Sequence, residues 1–150
     1  MTHEQLKLEN QLCFPFYAVS RLITRAYQED LDALGITYPQ YLVMLVMWEQ
    51  EELSVVEIAE KLILNTNTIT PLLKRMETMG LLTRTVSETD HRKVMIRLTE
   101  NGIEMKEEAA SIPVKLLQKM DIDLNTANVD EIMQLKLQLN QLINLLRNFK

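Results

Sequence analysis

A helix, a second amphipathic helix and a hairpin follow one another between residues 54 and 98 with almost no spacer, and this order constrains the fold more than any other feature. Ser54 and Glu57 form a capping box, which predicts a short helix that runs through Leu62. The second helix ends at Gly80, a residue suited to the left-handed conformation of a helix C-terminal cap. Two helices followed by a hairpin predict a winged helix-turn-helix, a fold typical of DNA-binding lobes.

The second helix is the one expected to enter the major groove of DNA. Its core-facing residues recur at the spacing of one helical face, and they are Ile69, Leu72, Leu73 and Met76. Hydrogen-bonding side chains occupy the opposite face, namely Asn67, Thr70, Lys74 and Thr78. Pro71 is expected in the first turn, where its missing N–H costs least, so the helix should begin between residues 67 and 70. A solvated face on an ordinary helix would carry similar residues, and the hairpin that follows is what favours DNA binding.

The hairpin predicts a wing. Residues 81–86 and 93–98 are its expected strands, because the second alternates apolar and polar side chains. Its tip holds Arg92 and Lys93 beside Asp90, and a hairpin of this size can reach a neighbouring minor groove or a run of phosphates. Asp90 is expected to orient Arg92 rather than to contact DNA.

The charge is distributed unevenly along the chain. Between residues 61 and 97 there are seven Lys or Arg and three Asp or Glu, which gives plus four; the whole chain carries −5, so the remainder carries −9. A local basic segment on an acidic protein suits phosphate contacts that are confined to one lobe. Ordinary surface variation produces similar imbalances, so the order of the elements decides the interpretation.

The segment before the winged lobe predicts two helices. Apolar residues recur at helical intervals from about residue 6 to residue 34. Pro15 interrupts this pattern, so the helix either kinks there or has its continuous part begin there. Thr37 and Gln40 form a second capping box, which predicts a buried helix to about residue 51.

The segment after the lobe also predicts two helices. Thr99 caps a long helix that is expected to reach about residue 120, with a kink at Pro113. A last helix is expected over residues 128–149, with an apolar stripe that suits a partner helix. The stripe comprises Ile132, Leu135, Leu139, Leu142, Leu146 and Phe149. A terminal helix this apolar predicts a homodimer, which also fits the two-fold symmetric half-sites of helix-turn-helix proteins.

The 150 residues predict a single chain that is mainly α, with a small β-hairpin wing. Residues 36–99 form the expected DNA-binding lobe, and residues 1–35 and 100–150 form the expected helical dimerisation region. Neither a signal-peptide core nor an apolar run long enough for a membrane is present in the sequence, which predicts a cytoplasmic protein without a membrane partner. One cysteine excludes an internal disulfide, and His3 and His91 lack metal-ligand spacing, so no metal or cofactor is expected.

Four segments carry a family resemblance: LCFPFYAVSR (12–21), ITYPQYLVMLVMWE (36–49), TNTITPLLKRMETMGLLTR (66–84) and SETDHRKVMIRLTENG (87–102). They resemble the MarR family of winged-helix repressors over roughly residues 8–113. Within this family they resemble the OhrR-like branch, which senses organic hydroperoxides. The recognition-helix and wing motifs are specific to the family, whereas LCF and ITYPQY are specific to the branch.

The resemblance implies a two-fold dimer with one recognition helix per subunit in the major groove and wings in the flanking minor grooves. It implies DNA contacts on or around the recognition helix from Asn65, Thr66, Thr68, Thr70, Lys74 and Arg75. Asp90 and Arg92 match the wing's Asp and Arg, and the same basic segment adds Asn67, Arg84 and Lys93 as candidates. In the branch the cysteine of LCF, here Cys13, is the sensor. Two tyrosines that match Tyr17 and Tyr27 hydrogen-bond to its thiolate across the dimer interface.

Without the resemblance Cys13 is ambiguous, because a lone cysteine among Leu and Met is usually a small buried hydrophobe. If the continuous helix begins near Pro15, its positive end and nearby Tyr hydroxyls would stabilise a thiolate, the form that peroxides oxidise. The residues between Cys13 and Tyr27 span about 21 Å of helix, so Tyr27 can reach that sulfur only from an antiparallel partner helix. On an apolar face, Tyr17 and Tyr27 could equally be core residues with satisfied hydroxyls.

The sequence therefore predicts a homodimeric repressor, not an enzyme, that binds a pseudo-palindromic operator in double-stranded DNA and releases it when an organic hydroperoxide oxidises Cys13. With no second cysteine, the sulfenic acid would persist, form a mixed disulfide with a small thiol, or close on a backbone nitrogen. Two alternatives stay open. One is a regulator of the same fold that is released by a small phenolic or aromatic ligand. The other is a one-cysteine thiol peroxidase, although the sequence near Cys13 lacks the supporting acid or Arg of such enzymes.

Overall fold

The computed structural model describes residues 3–121 and 128–149. Its helices and strands are, in chain order, α1 (Cys13–Ala33), α2 (Tyr38–Met47), β1 (Leu53–Ser54), α3 (Val55–Leu62), α4 (Thr66–Thr78), β2 (Leu82–Val86), β3 (Val94–Leu98), α5 (Glu100–Ala109), α6 (Ile112–Lys119) and α7 (Asn128–Arg147). Two short 3-10 turns, Glu4–Leu6 and Leu8–Asn10, precede α1. The chain divides into two compact units, Met1–Ile112 and Pro113–Lys150.

Of the two predicted outcomes at Pro15, a kink or the start of the continuous helix, the structure shows the second. Pro15 lies in the first turn of α1, which begins at Cys13. The N–H groups of a first turn have no acceptor within the helix, so a proline there removes no hydrogen bond. α1 ends at Ala33, close to the predicted residue 34, and Gly35 follows it with a φ of +69°. The N–H of Ile36 donates to the carbonyl of Leu31 at 3.1 Å, which completes a Schellman motif.

The capping box predicted for α2 is confirmed. The N–H of Thr37 donates to Oε1 of Gln40 at 2.7 Å, and the Thr37 side chain accepts in return from the backbone of the first turn. α2 ends at Met47, earlier than predicted. After the C-cap Trp48 come three glutamates and a glutamine (49–52), and the negative charges of the glutamates oppose the negative end of a helix. Leu53–Ser54 then pairs with a strand, which requires an extended backbone.

The helix-turn-helix forms as predicted at α3, with one correction at α4. The predicted position of Pro71 in the first turn is wrong, since it is the sixth residue of the helix. α4 begins earlier because Asn65 serves as its N-cap and accepts at its carbonyl from the N–H groups of Thr68 (2.9 Å) and Ile69 (3.1 Å). Proline is tolerated at this position because it is exposed, so water can reach the carbonyl of Asn67 that lacks its usual helical donor.

The two faces of α4 are as predicted from the spacing. Ile69, Leu73 and Met76 are buried, whereas the side opposite them is exposed. Gly80 follows the helix with a φ of +73°, and the N–H of Leu81 donates to the carbonyl of Met76 at 3.0 Å. This Schellman motif turns the chain directly into the wing.

The predicted hairpin is confirmed, and it belongs to a three-stranded antiparallel sheet with the order β1-β3-β2. The hairpin register runs from Leu82 opposite Leu98 to Val86 opposite Val94. β1 was not predicted, because a strand of two residues is too short to show an alternating pattern. It pairs with β3 at the base of the wing and thereby fixes the wing to the start of α3.

The long helix predicted after Thr99 is in fact two helices. Thr99 caps α5, since its Oγ1 accepts from the N–H of Gly102 at 3.2 Å. α5 ends at Ala109 and α6 begins at Ile112. Pro113 explains the break, because a continuous helix would bring its ring against the carbonyl of Ala109 and would lose the hydrogen bond to that carbonyl. The last predicted helix is confirmed as α7.

One hydrophobic core lies within the unit Met1–Ile112, and the helices from α1 through α5 and the sheet all contribute side chains to it. Its fully buried side chains include Leu31, Val43, Met44, Met47, Ile58, Ile69, Leu73, Met76, Leu82 and Ile96. This core rigidly supports α4 and the wing, whose outer faces remain exposed. Across residues 3–121 and 128–149, none of the helices combines the length and the apolar character that a membrane span requires.

Candidate DNA interface and redox site

The outer face of α4 collects most of the predicted DNA-binding side chains. Those that are exposed are Asn65, Thr66, Asn67, Thr68, Lys74 and Arg75. Thr70 is half-buried, and its hydroxyl donates to the carbonyl of Thr66 at 2.7 Å. The helix therefore presents two amides, two cations and several small side chains on one surface, a set that can contact both base edges and phosphates.

The wing tip presents one arginine that an aspartate orients. Asp90 accepts at both carboxylate oxygens from the Arg92 side chain, with Oδ1–Nε at 3.1 Å and Oδ2–Nη2 at 3.3 Å. These bonds hold the pKa of Asp90 below its ordinary value. The Arg92 side chain is nevertheless 91% exposed, so its remaining donors stay available. The geometry agrees with the prediction that Asp90 orients Arg92.

Lys93 and Arg84 lie on the wing in different environments. Lys93 is exposed, and its N–H closes the wing-tip turn by donating to the carbonyl of Asp90 at 2.8 Å. Arg84 has a side chain only 18% exposed, and its Nη1 lies 3.7 Å from Oε2 of Glu77 in the last turn of α4. Glu77 also accepts from the backbone N–H of Arg84 at 3.1 Å. Arg84 thus joins the wing to α4, and its DNA contact stays a prediction.

Cys13 is exposed and is the first residue of α1. Tyr17 lies one helical turn further on the same face, and its side chain is exposed as well. The Arg21 guanidinium lies over the Tyr17 ring, 5.7 Å from the ring centre. The predicted sensor and one of its predicted tyrosines therefore lie one turn apart on α1, and the positive charge of Arg21 lies over the tyrosine ring.

Tyr27 does not lie near Cys13 of the same chain, because α1 is continuous between them and separates them by about 21 Å. It packs against two tyrosines of α2, with ring centres 5.2 Å from Tyr38 and 5.8 Å from Tyr41. Tyr41 in turn meets Trp48, whose indole N–H donates to the carbonyl of Gly102 at 2.8 Å.

Burial raises the pKa of Tyr27, and the neighbouring Tyr38 adds to this shift. Burial likewise raises the pKa values of Tyr38 and Tyr41. All three phenols therefore stay protonated at neutral pH and act as hydrogen-bond donors. Tyr38 and Tyr41 were not among the predicted site residues. The segment ITYPQY contains both, but only the fold shows that α2 brings them to Tyr27.

Two helices expose apolar stripes. The exposed apolar or aromatic residues at the start of α1 and just before it are Leu12, Phe14, Phe16, Tyr17, Val19 and Leu22. Within the second unit, α7 exposes Met133, Leu135, Leu137, Leu139, Ile143, Leu145 and Leu146. Exposed large apolar side chains in this number on a helix are typical of protein–protein interfaces. Among the described residues, no group of three or more His, Cys, Asp or Glu side chains is arranged to hold a metal ion.

Comparison with known proteins agrees with this architecture. Residues 25–109 match the family described as transcriptional regulator SarA/Rot. The organic hydroperoxide resistance transcriptional regulator of Bacillus subtilis is 48% identical over 143 residues, which cover 95% of this chain and 94% of that protein.

Two solved structures of AbfR of Staphylococcus epidermidis are also similar. Reduced AbfR bound to DNA has a TM-score of 0.79 and 36% identity, with 99% of this chain and 100% of that chain covered. Overoxidised AbfR bound to DNA has a TM-score of 0.67 and 38% identity, with 92% and 98% covered. The family resemblance of the sequence motifs is thereby confirmed. The chain belongs to the MarR family of winged-helix transcriptional regulators, in the branch of the organic hydroperoxide resistance regulators.

Proposed function

We propose that this protein is a homodimeric transcriptional repressor that binds a pseudo-palindromic operator and releases it when an organic hydroperoxide oxidises Cys13. The observation that carries the proposal is an exposed thiol at the first residue of α1, one turn from the phenol of Tyr17 and within an uncovered apolar stripe. Most lone cysteines are buried and inert, whereas this sulfur is open to a peroxide.

DNA binding is assigned to α4 and the wing. The exposed side chains of α4 would contact base edges and phosphates in the major groove, and Arg92 would enter the flanking minor groove with Asp90 fixing its orientation. Lys93 would add a phosphate contact, while Arg84 would keep the wing in register with α4. Two-fold symmetry between subunits then requires two half-sites of opposite orientation, which is a pseudo-palindrome.

Dimerisation is assigned to residues 1–35 and 100–150, leaving residues 36–99 as the DNA-binding lobe. The exposed stripes on α1 and α7 supply apolar surface that a second copy would remove from water. A second copy would also supply the Tyr27 that Cys13 needs, since the tyrosine of the same chain is about 21 Å away along α1. Sensing and dimer contact would then share one surface.

The oxidation step needs a thiolate and a hydroperoxide. The Cys13 thiolate attacks the terminal oxygen of the hydroperoxide, the O–O bond breaks, and the alkoxide leaves and takes up a proton to become an alcohol. Sulfur is oxidised to a sulfenic acid in this step. Protonated phenols such as Tyr17 and the partner's Tyr27 would donate to the thiolate and to the leaving oxygen. The surrounding apolar side chains favour an organic hydroperoxide over hydrogen peroxide.

A small thiol completes the switch. It condenses with the sulfenic acid, so that a mixed disulfide forms on Cys13 and water leaves. AbfR occupies DNA in its overoxidised as well as its reduced form, which favours a bulkier adduct than added oxygen as the releasing form here. Such an adduct at the dimer contact would change the spacing of the two α4 helices and would weaken both half-sites at once.

This function makes the protein a sensor rather than an enzyme, because one hydroperoxide is consumed per subunit. Continued consumption of hydroperoxide with an added thiol would indicate a peroxidase instead. Release by a phenolic ligand that does not depend on Cys13 would support a ligand-controlled regulator of the same fold.

The proposal is tested with a DNA duplex that the reduced protein selects from a random-sequence pool. Binding is measured by fluorescence anisotropy before and after one equivalent of cumene hydroperoxide, with and without a small thiol. Wild type should lose the duplex when the thiol is present and Cys13 carries the mixed disulfide, whereas Cys13→Ser should keep it under both conditions. Ser20→Ala, on the same helix, is the matched control and should behave as wild type. Equal loss in Cys13→Ser would contradict the mechanism.

A further inference from the structure

We propose that Pro71 determines specificity at the DNA interface, because its ring contacts the 5-methyl group of a thymine in the major groove. The inference rests on the proposed DNA binding and goes beyond it by assigning a base preference to one side chain. Pro71 was predicted only as a helix-start signal, and the structure instead has it exposed in the interior of α4.

Pro71 lies at the centre of the outward face of α4. The buried residues Ile69, Leu73 and Met76 define the inward direction. At about 100° per residue, the direction opposite them falls on one stripe of exposed side chains. That stripe comprises Asn67, Pro71, Lys74 and Thr78. A helix lying in the groove with its core side away from DNA would therefore bring the proline ring closest to the base pairs.

The Pro71 ring is the apolar part of this stripe, between Asn67 one turn before it and Lys74 one turn after it, and two nearby threonine hydroxyls are engaged with the helix backbone. The Thr70 hydroxyl donates to the carbonyl of Thr66 at 2.7 Å, and the Thr78 hydroxyl donates to the carbonyl of Lys74 at 3.1 Å. Each of these hydroxyl hydrogens is thus directed at the helix backbone. Among the groups that base pairs present in the major groove, the methyl of thymine is the one that an apolar surface recognises.

The helix itself gives no reason for a proline at this position. Proline is the least favourable residue in a helix interior, since it removes a hydrogen bond and crowds the preceding turn. Pro71 is exposed, so the core does not require its ring either. A residue that opposes the local preference of its helix, at the centre of the proposed contact surface, is typical of a functional position.

The expected loss of DNA affinity is estimated from the removal of one thymine methyl group from this contact. A buried methyl group contributes a factor of about fourfold to an equilibrium constant. One contacted thymine in each half-site therefore predicts a loss of about fifteenfold when both are replaced, if the two sites act independently.

The experiment uses the duplex that wild type selects from a random pool, with each thymine replaced in turn by deoxyuridine, which lacks only the methyl group. Wild type, Pro71→Ala and the matched control Pro39→Ala are titrated with every duplex. Pro39 is an exposed proline near the start of α2 and lies outside the proposed interface. Pro71→Ala should raise the midpoint of thermal unfolding, so any loss of affinity would not come from unfolding.

We expect one thymine per half-site at which deoxyuridine weakens wild type and Pro39→Ala by about fourfold but weakens Pro71→Ala by less than twofold. Equal losses in all three proteins at every position would overturn the inference while leaving DNA binding intact. A pool that yields no enriched sequence would refute the proposed function and the inference with it.

Discussion

Replacement of Gly102 by alanine should destabilise the protein although the residue lies in a helix. Gly102 is the third residue of α5, where its N–H donates to the capping Thr99. A Cβ at this position would lie 2.1 Å from the carbonyl oxygen of Leu81 and 3.2 Å from Cδ2 of Leu98. The first distance is shorter than any real contact, so the backbone of Leu81 or of α5 has to move.

The size of the effect follows from three contributions. Alanine for glycine in a helix gains about 0.5–1 kcal/mol, and overpacking costs about 1–3 kcal/mol. The movement also strains the bond from the N–H of Thr99 to the carbonyl of Leu81, 3.1 Å long, which is worth about 1 kcal/mol. The net expectation is a loss of about 1–3.5 kcal/mol in unfolding free energy.

The loss is measured by urea unfolding followed by circular dichroism at fixed protein concentration, because association affects apparent stability. Asn101→Ala is the matched control, since it removes an exposed side chain in the same turn and should change the free energy by less than about 0.5 kcal/mol. A Gly102→Ala protein as stable as wild type would refute the close approach of α5 to Leu81.

Three further predictions concern the turn, a cap and the wing. Ile63 has a φ of +57° and is 56% exposed, so Ile63→Gly should stabilise the protein by about 0.5–1 kcal/mol in the same assay, and a loss would contradict the strain. Hydrogen bonds from Ser54 hold the pKa of Glu57 below its ordinary 4.5, so the carboxylate stabilises the fold above that pH and the effect is lost as the pH falls through the lowered pKa. Glu57→Gln should therefore be less stable than wild type at pH 7 and equally stable in acid. A difference in unfolding free energy that does not change with pH would show that protonation of Glu57 is not coupled to stability. Arg92→Ala should lower DNA affinity and reduce the salt dependence by about one phosphate contact, whereas an unchanged salt slope would exclude that contact.

Local signals predicted most of the fold because the residues that start and end the helices act within one turn. The capping boxes at Thr37 and Ser54 and the glycine after α4 all form as their sequences indicate. Pro71 and Pro113 show the limit of such signals. A proline predicts an interruption, yet α4 continues through Pro71, whereas α5 ends before Pro113; both prolines are exposed, so neither the residue type nor its exposure alone decides the outcome.

Contacts between distant segments could not be predicted from spacing. Packing of Tyr27 against α2 depends on the angle between two helices, which a hydrophobic pattern does not specify. The bonds between Arg84 and Glu77 likewise depend on how the wing folds back on α4, and the sequence indicated only that Arg84 is basic. β1 forms because β3 offers it a partner, so two isolated residues carried no signal of their own.

The central claim is that the chemical state of one sulfur sets the affinity for DNA, and it is tested most directly by measuring both in the same sample. Reduced protein on its selected duplex is titrated with cumene hydroperoxide in the presence of a small thiol. Intact mass gives the fraction of Cys13 in a mixed disulfide, and anisotropy gives the fraction of bound DNA. The bound fraction should fall in step with the adduct in wild type and stay constant in Cys13→Ser. Release of DNA without an adduct, or a complete adduct on protein that keeps its DNA, would contradict the claim.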